Sequence, residues 1–288
     1  MRYAAIDIGT NSCRLLIAEK AAGKLSSLYR TMETTRLGEN MQANFSITEE
    51  AILRTCNTLN NFKAIMREYE VENFRAVATS AVREAGNQKG FIQSVQDKCN
   101  INVEVISGEE EAHLSYLGVK NSLDLAVSPL VVDLGGGSTE LIMEKDFFIS
   151  LPVGAVRVYE LNLSADDISQ ILKPLIPKQE AYKANPLVFV GGTATSLVAM
   201  KFSLDVYKSE LVHGQVLTRG EIADLYNRLE KMPLSLRRRL PGLQPERADI
   251  ITGGILILLL IMDIFRKEEI TVSESDLMEA IIGEMCGL

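Results

Sequence analysis

The chain has 288 residues, 47% of them hydrophobic and 24% charged, which is enough for two domains of ordinary size with apolar cores. Its 30 Lys and Arg against 38 Asp and Glu leave a formal net charge of −8. That balance argues against a nucleic-acid surface, because duplex binding is mostly neutralisation of phosphates by basic side chains.

The 2 histidines, His113 and His213, are too few for a histidine-based metal centre. The most apolar stretch, 250–262, falls short of the roughly 20 residues that a bilayer span needs, and Asp249 and Asp263 flank it. Neither a nucleic-acid nor a membrane partner is therefore expected. Cys13, Cys56, Cys99 and Cys286 show no CxxC pairing, and Met1-Arg2 runs straight into an apolar segment. A reduced, cytoplasmic protein without a leader is the expectation.

Two apolar runs, 3–7 and 13–19, flank the polar turn Gly9-Thr10-Asn11-Ser12 and predict a hairpin, with 24–35 as a third strand. Thr35-Arg36-Leu37-Gly38-Glu39-Asn40 is a predicted loop. Ser46-x-x-Glu49 has capping-box spacing and opens a helix that places Ile52, Cys56, Leu59, Phe62 and Met66 on one face. A buried strand at 74–79 leads into a helix from Thr79, followed by an amphipathic helix at 87–99 and a strand at 103–106. Ser107-Gly108-Glu109-Glu110-Glu111-Ala112 then enters a helix to about 123. Acids in a first turn complement the helix dipole, which is sufficient reason for Glu109 and Glu110. The best hinge is 121–129, so the domains are predicted as 1–122 and 123–288.

The second domain opens on Val131-Val132-Asp133-Leu134-Gly135-Gly136-Gly137-Ser138-Thr139-Glu140-Leu141-Ile142-Met143: strand, tight turn, strand. Three glycines let the backbone take positive φ and approach a ligand, so that consecutive N–H groups can hold phosphate oxygens. Ser138 and Thr139 add hydroxyls. Asp133 and Glu140 add carboxylates, which would repel phosphate unless a divalent cation stands between them. The N-terminal hairpin is a gapless copy of this stretch, with Asp7 on Asp133, Gly9 on Gly135, Ser12 on Ser138 and Leu15 on Leu141. The offset is domain-sized, far beyond a solenoid repeat. Two similar domains, each opening on an acid-bearing turn, would bind one phosphate chain and its metal in the cleft between them.

A strand at 147–152 and helices at 154–162 and 166–176 come next, the last ended by Pro177. The strand 187–190 runs into Gly191-Gly192-Thr193-Ala194-Thr195, a glycine turn opening a helix and a ready anion seat. Thr218-x-x-Glu221 is a second capping box, and Arg237-Arg238-Arg239 fits a solvated helix face. Gly253-Gly254 sits inside the apolar helix that follows 245–249, where glycine is unfavourable unless something packs closely. A strand at 270–273 and a helix at 276–286 close the chain. Strands alternating with helices place it in the α/β class with mixed sheets.

These motifs, in this order, resemble the exopolyphosphatase and guanosine pentaphosphate phosphohydrolase family, within the superfamily of actin, sugar kinases and heat-shock ATPases. The segments carrying the resemblance include Asp7 to Ser12, Arg36-Leu37-Gly38-Glu39, Ala78 to Ala85, Ser107 to Ala112, Asp133 to Glu140, Gly191 to Thr195, Val212-His213-Gly214 and Glu246-Arg247-Ala248-Asp249. The resemblance implies two ribonuclease-H-like (actin-like ATPase) domains with the active site in the interdomain cleft. It implies release of terminal phosphate from polyphosphate, from guanosine pentaphosphate (pppGpp), or from both.

Glu111 would be the base acting on the attacking water, and Asp133 and Glu140 would hold Mg²⁺, or alternatively Mn²⁺. The turns Gly9, Thr10, Asn11, Ser12 and Gly135, Gly136, Gly137, Ser138, Thr139 would cradle phosphate together with Asp7, Gly191, Gly192 and Thr193. Arg83, with Arg36 and Arg14 behind it, is a candidate to neutralise charge on the transferred group. The chain departs from the family at Asp276-Leu277-Met278-Glu279-Ala280, where a Gly-Leu-Arg-Glu-Gly-like segment is usual. It also lacks the further C-terminal helical domains of long members, so short polyphosphate is the expected preference, with homodimerisation as a route to longer chains. Two other readings remain: a non-catalytic regulator that binds (p)ppGpp or polyphosphate, and a nucleotide-dependent kinase of the same superfamily.

Overall fold

The computed structural model describes residues 1–21, 24–41, 45–144 and 147–287. The chain divides into two compact units, Met1–Leu114 with Leu277–Leu288, and Ser115–Asp276.

In the first unit β1 (Arg2–Ile8), β2 (Ser12–Ala21) and β3 (Lys24–Thr34) form an antiparallel meander. β4 (Asn73–Ala78) and β5 (Val103–Val105) add in parallel on the other side of β1, giving the order β3-β2-β1-β4-β5. A central strand covered on both faces reads as a continuous apolar run, and β1 is buried from Tyr3 to Ile8. One face is closed by α1 (Glu49–Glu68), which buries Cys56, Leu59, Phe62 and Met66 as its periodicity predicts, with Ala51 buried beside them and Ile52 only partly buried. The cap of α1 is Thr48, whose hydroxyl accepts from the Ala51 amide, and not Ser46 two residues earlier. α2 (Ser80–Glu84) and α3 (Gln88–Cys99) follow β4.

The closing helix Leu277–Cys286 packs on β1 and β2, burying Leu277, Met278, Ile281 and Ile282. Its Glu279 pairs with the Arg30 guanidinium, and Lys20 Nζ donates to the Cys286 carbonyl at 2.6 Å. The division therefore differs from the predicted 1–122 and 123–288. The break falls inside α4 (Gly108–Ser122), and the last helix returns to the first unit. An amphipathic helix carries no local mark of which sheet it will cover, so this exchange had no signal in sequence.

In the second unit β6 (Leu130–Leu134), β7 (Thr139–Met143) and β8 (Phe147–Leu151) repeat the meander. β9 (Leu187–Val190) runs parallel to β6, β11 (Glu269–Val272) parallel to β9, and the short β10 (Val216–Thr218) closes the edge antiparallel to β11. The order is β10-β11-β9-β6-β7-β8. Set against the first sheet, β8-β7-β6-β9-β11 repeats the same ribonuclease-H-like layout.

After α5 (Ala155–Leu161), α6 (Ala165–Leu172) starts at a Ser164/Asp167 capping box. The helix predicted over 166–176 gives way there to a 3₁₀ segment, Lys173–Lys178, because Pro174 has no N–H with which to continue the α ladder. The Thr218/Glu221 box forms as predicted. The apolar helix Ile251–Phe265 is buried over most of its length, with Asp263 exposed near its end. A Cβ on its Gly253 would lie 2.8 Å from Val158 Cγ1, and one on Gly254 2.3 Å from Thr193 Oγ1, so both glycines are there for close packing. No helix among the described residues is long and apolar enough to cross a membrane. All four cysteines are free, and burial pushes the Cys13 and Cys99 thiols up to about 12, which keeps them protonated and unreactive.

Candidate active site

In each unit the predicted site residues gather at the carboxyl ends of the parallel strands, where open α/β sheets place their ligands. In the first unit the turn 9–12 follows β1, α2 follows β4 and α4 follows β5. Backbone bonds from Thr79 N to Ile8 O (3.3 Å) and from Ile106 N to Ala78 O (3.1 Å) bring these three ends side by side. In the second unit the turn 135–138 follows β6, Gly191-Gly192 follows β9 and Ser273 follows β11. Gly191 is at φ +95, and a Cβ there would lie 2.6 Å from Leu134 O.

The two turns have the same internal geometry. Gly9 N donates to Ser12 O at 3.0 Å, and Gly135 N to Ser138 O at 3.1 Å. Each turn is also braced from behind. The loop carrying Arg36-Leu37-Gly38 supplies Thr35 N (3.1 Å) and Arg36 N (2.8 Å) to Asn11 O, and Gly38 N (2.9 Å) to Thr10 O. Arg36 is held there at φ 47, and a Cβ on Gly38 would sit 2.4 Å from Thr10 Cγ2. The backbone of the Arg36 motif thus supports the first turn.

In the second unit α5 has this role. Ala155 N donates to Gly135 O (3.0 Å), Val156 N (2.9 Å) and Arg157 N (3.1 Å) donate to Gly136 O, and Arg157 Nε donates to Gly137 O (2.8 Å). Thr139 faces inward, its hydroxyl donating to Val153 O at 2.5 Å. The predicted positive φ is not used, since the glycines at positive φ among the described residues are Gly191, Gly214, Gly242 and Gly287. Space is the reason instead: a Cβ on Gly9 would come 3.0 Å from Ser12 O, and one on Gly135 3.2 Å from Ser138 O.

Gly154 is the tightest point of this brace, because a Cβ on it would be 2.5 Å from Gly136 C and O. Gly154→Ala is expected to push α5 off the turn at a cost of about 1–3 kcal/mol, read by thermal unfolding and by ligand binding. An unchanged midpoint would contradict the brace.

Glu111 stands in the first turn of α4, buried, behind the Ser107 hydroxyl that accepts from Glu110 N at 3.1 Å. Its Oε2 accepts from Arg83 Nη1 at 2.8 Å, and the same Nη1 donates to Ile106 O at 3.2 Å. Arg83 therefore holds the carboxylate by a charge-assisted bond.

The equivalent acids of the two hairpins have different partners across the sheet. Asp7 is opposite Arg14, whose Nε and Nη2 reach Asp7 Oδ2 at 2.7 and 2.6 Å. Asp133 is opposite Glu140, and Glu140 is opposite Ser150, so two carboxylates and a hydroxyl lie in one cross-strand row on one face. Ser150 Oγ donates to Glu140 at 2.7 Å, and Ser115 Oγ, from α4, donates to Asp133 at 2.6 Å. Glu140 is 1% exposed. Two oriented carboxylates suit a hard cation such as Mg²⁺, which commonly takes one or two protein carboxylates plus substrate phosphates and not a full protein cage. No larger group of three or more His, Cys, Asp or Glu able to hold a metal occurs among the described residues.

The third predicted seat is shaped by Arg247 and Gly254, which the sequence marked only as part of a motif and as a packing demand. A Cβ on Gly192 would fall 1.2 Å from Arg247 Nη1, so the Arg247 guanidinium lies directly on the start of α7 (Gly192–Lys201). The buried Thr193 packs on Gly254. Arg157, Gly154, Ser115 and Ser150 were not legible as site residues, since each acts by tertiary placement and lies outside any spaced motif.

Residues 16–287 match the model of the Ppx/GppA phosphatase family. The chain is 38% identical over 311 aligned residues to the bifunctional 3-dehydroquinate synthase/phosphatase of Fusobacterium nucleatum, an alignment covering 97% of this chain and 46% of that protein. It is 32% identical over 315 residues to exopolyphosphatase 2 of Mycobacterium tuberculosis, with 99% of each chain covered. The chain thus spans about half the length of the first relative and nearly all of the second. Among solved structures it is similar to the Ppx/GppA enzyme of Aquifex aeolicus, with a TM-score of 0.81, 34% identity and 99% of each chain covered.

Proposed function

Because the chain belongs to the Ppx/GppA phosphatase family, we propose that it is a hydrolase releasing the terminal phosphate of inorganic polyphosphate, of guanosine pentaphosphate, or of both. The observation that carries this reading is the pair of equivalent turns, each with its carbonyls tied back and its Gly-to-Ser closure intact. Such turns are anion seats built from backbone N–H groups.

In-line phosphoryl transfer asks a protein for positioning, charge neutralisation and an oriented nucleophile. Glu111, held by Arg83, orients a water and takes its proton as the oxygen attacks the terminal phosphorus. The turn amides and the Ser12 and Ser138 hydroxyls fix the phosphate oxygens. Arg83 remains beside Glu111 as charge redistributes onto the departing oxygen. Asp133 and Glu140 are the residues that would hold a divalent cation, Mg²⁺ or Mn²⁺, whose contribution is neutralisation of the polyanion.

Phosphate release by the purified protein tests this directly, with Mg²⁺ and, in parallel, short polyphosphate, long polyphosphate, pppGpp or ATP. Release from polyphosphate or pppGpp without an added acceptor supports it. ATP consumption that requires an acceptor would replace it with a kinase, and tight binding without any release would replace it with a regulator.

A further inference from the structure

A peptide group is planar and trans, so a carbonyl drawn to one side turns the N–H of the next residue to the other. In the second unit three successive carbonyls, Gly135, Gly136 and Gly137, are all drawn toward α5. The amides of Gly136, Gly137 and Ser138 are consequently aimed together at the opposite side, which is the arrangement an anion-binding nest requires. Backbone amides of α5 hold the first two carbonyls, but the third is held by a side chain, Arg157 Nε on Gly137 O at 2.8 Å. In the first unit the equivalent carbonyl, Asn11 O, is held by two backbone amides, Thr35 N and Arg36 N. Arg157 thus supplies from a side chain what the main chain supplies in the other copy.

We infer that Arg157 is a positioning residue for the second phosphate turn: it sets the direction of the Ser138 amide from behind. The inference rests on the phosphohydrolase reading above for its kinetic consequence. Lysine carries a methylene where arginine has Nε, so it offers no donor at that point of the side chain, although its own amide would still bind the Gly136 carbonyl.

The test compares wild type, Arg157→Ala and Arg157→Lys for kcat and KM in phosphate release, for thermal midpoint, and for affinity for inorganic pyrophosphate by calorimetry. Each is assayed with and without ethylguanidinium. Deleting a donor that touches the transition state costs about 10²–10³-fold, so loosening one from behind is expected to lower kcat by about 10-fold to 100-fold in Arg157→Ala, with KM raised as well because the same amide seats the ground-state phosphate. Arg157→Lys is expected to recover little of it, whereas ethylguanidinium raises kcat in Arg157→Ala and not in wild type.

A folded Arg157→Ala with kcat within about twofold of wild type would overturn the inference. So would full recovery in Arg157→Lys, or a loss tracking the thermal midpoint with no response to ethylguanidinium. If Arg157→Ala does not fold, Arg157→Lys decides: lowered kcat at an unchanged midpoint supports the inference, and unaltered kcat overturns it. If wild type releases phosphate from nothing, the functional reading fails by itself. Arg157 is then judged on pyrophosphate, where a weakening of about 10-fold or more in Arg157→Ala is expected and equal affinity refutes it.

Discussion

Glu111→Gln is expected to lower kcat for phosphate release by about 10²–10⁴-fold, the usual contribution of a positioned general base, while leaving the thermal midpoint close to wild type. The two effects separate because of the Arg83 contact. Glutamine keeps a carbonyl oxygen that can accept from Arg83 Nη1, now 2.8 Å from Glu111 Oε2, so the half-buried guanidinium keeps a bond at this position. What is removed is the ability to take a proton. Glu111→Ala removes both, and its lower stability is expected to come from loss of the charge-assisted bond to Arg83, whose Nη1 keeps the Ile106 carbonyl. Steady-state kinetics with a thermal melt on each variant checks this. A Glu111→Gln enzyme within about tenfold of wild type would mean that another group activates the water.

Asp133→Asn and Glu140→Gln are each expected to cost about 10²–10³-fold in kcat, the scale seen when one electrostatic contact to the transition state is lost. The double variant is expected to be little worse than either single one, because residues that act as a unit are not additive. Ser115→Ala and Ser150→Ala remove the hydroxyls bonded to these carboxylates at 2.6 and 2.7 Å. They are expected to raise the Mg²⁺ concentration for half-maximal activity by about 10-fold to 100-fold without lowering activity at saturating metal. Titration of activity against Mg²⁺, with chelator as the zero point, distinguishes the two classes. Undiminished activity in chelator would remove the cation from the account and leave the Asp133 and Glu140 pair without a role.

Much of the scaffold was legible in sequence because its signals are local. The gapless match of Asp7 to Asp133 and of Ser12 to Ser138 became two turns closed by the same backbone bond. The glycine turn at the end of β6 leads into β7 and the one at the end of β9 into α7, as the residue pattern required. The acid pair at Asp133 and Glu140 follows from hairpin register, which the length of the turn between the strands fixes. What stayed hidden is tertiary. Arg157, in a short helix, becomes notable only when α5 folds back on Gly137, and Ser150 only when β8 sets it opposite Glu140. Gly253 and Gly254 were legible as a packing demand, but not as contacts with Val158 and Thr193. The helix Leu277–Cys286 of the divergent closing segment packs on β1 and β2, and its Glu279 pairs with Arg30.

In the proposed reaction water, oriented by Glu111, attacks the terminal phosphorus and no other atom. Hydrolysis of short polyphosphate or pppGpp in ¹⁸O-labelled water tests it most directly, with mass analysis of both products after a single turnover. One labelled oxygen is expected in each released phosphate and none in the shortened chain or nucleotide, with Glu111→Gln forming labelled phosphate about 10²–10⁴-fold more slowly. Label in the remaining chain, or phosphate released unlabelled, would place the attack elsewhere and contradict the mechanism.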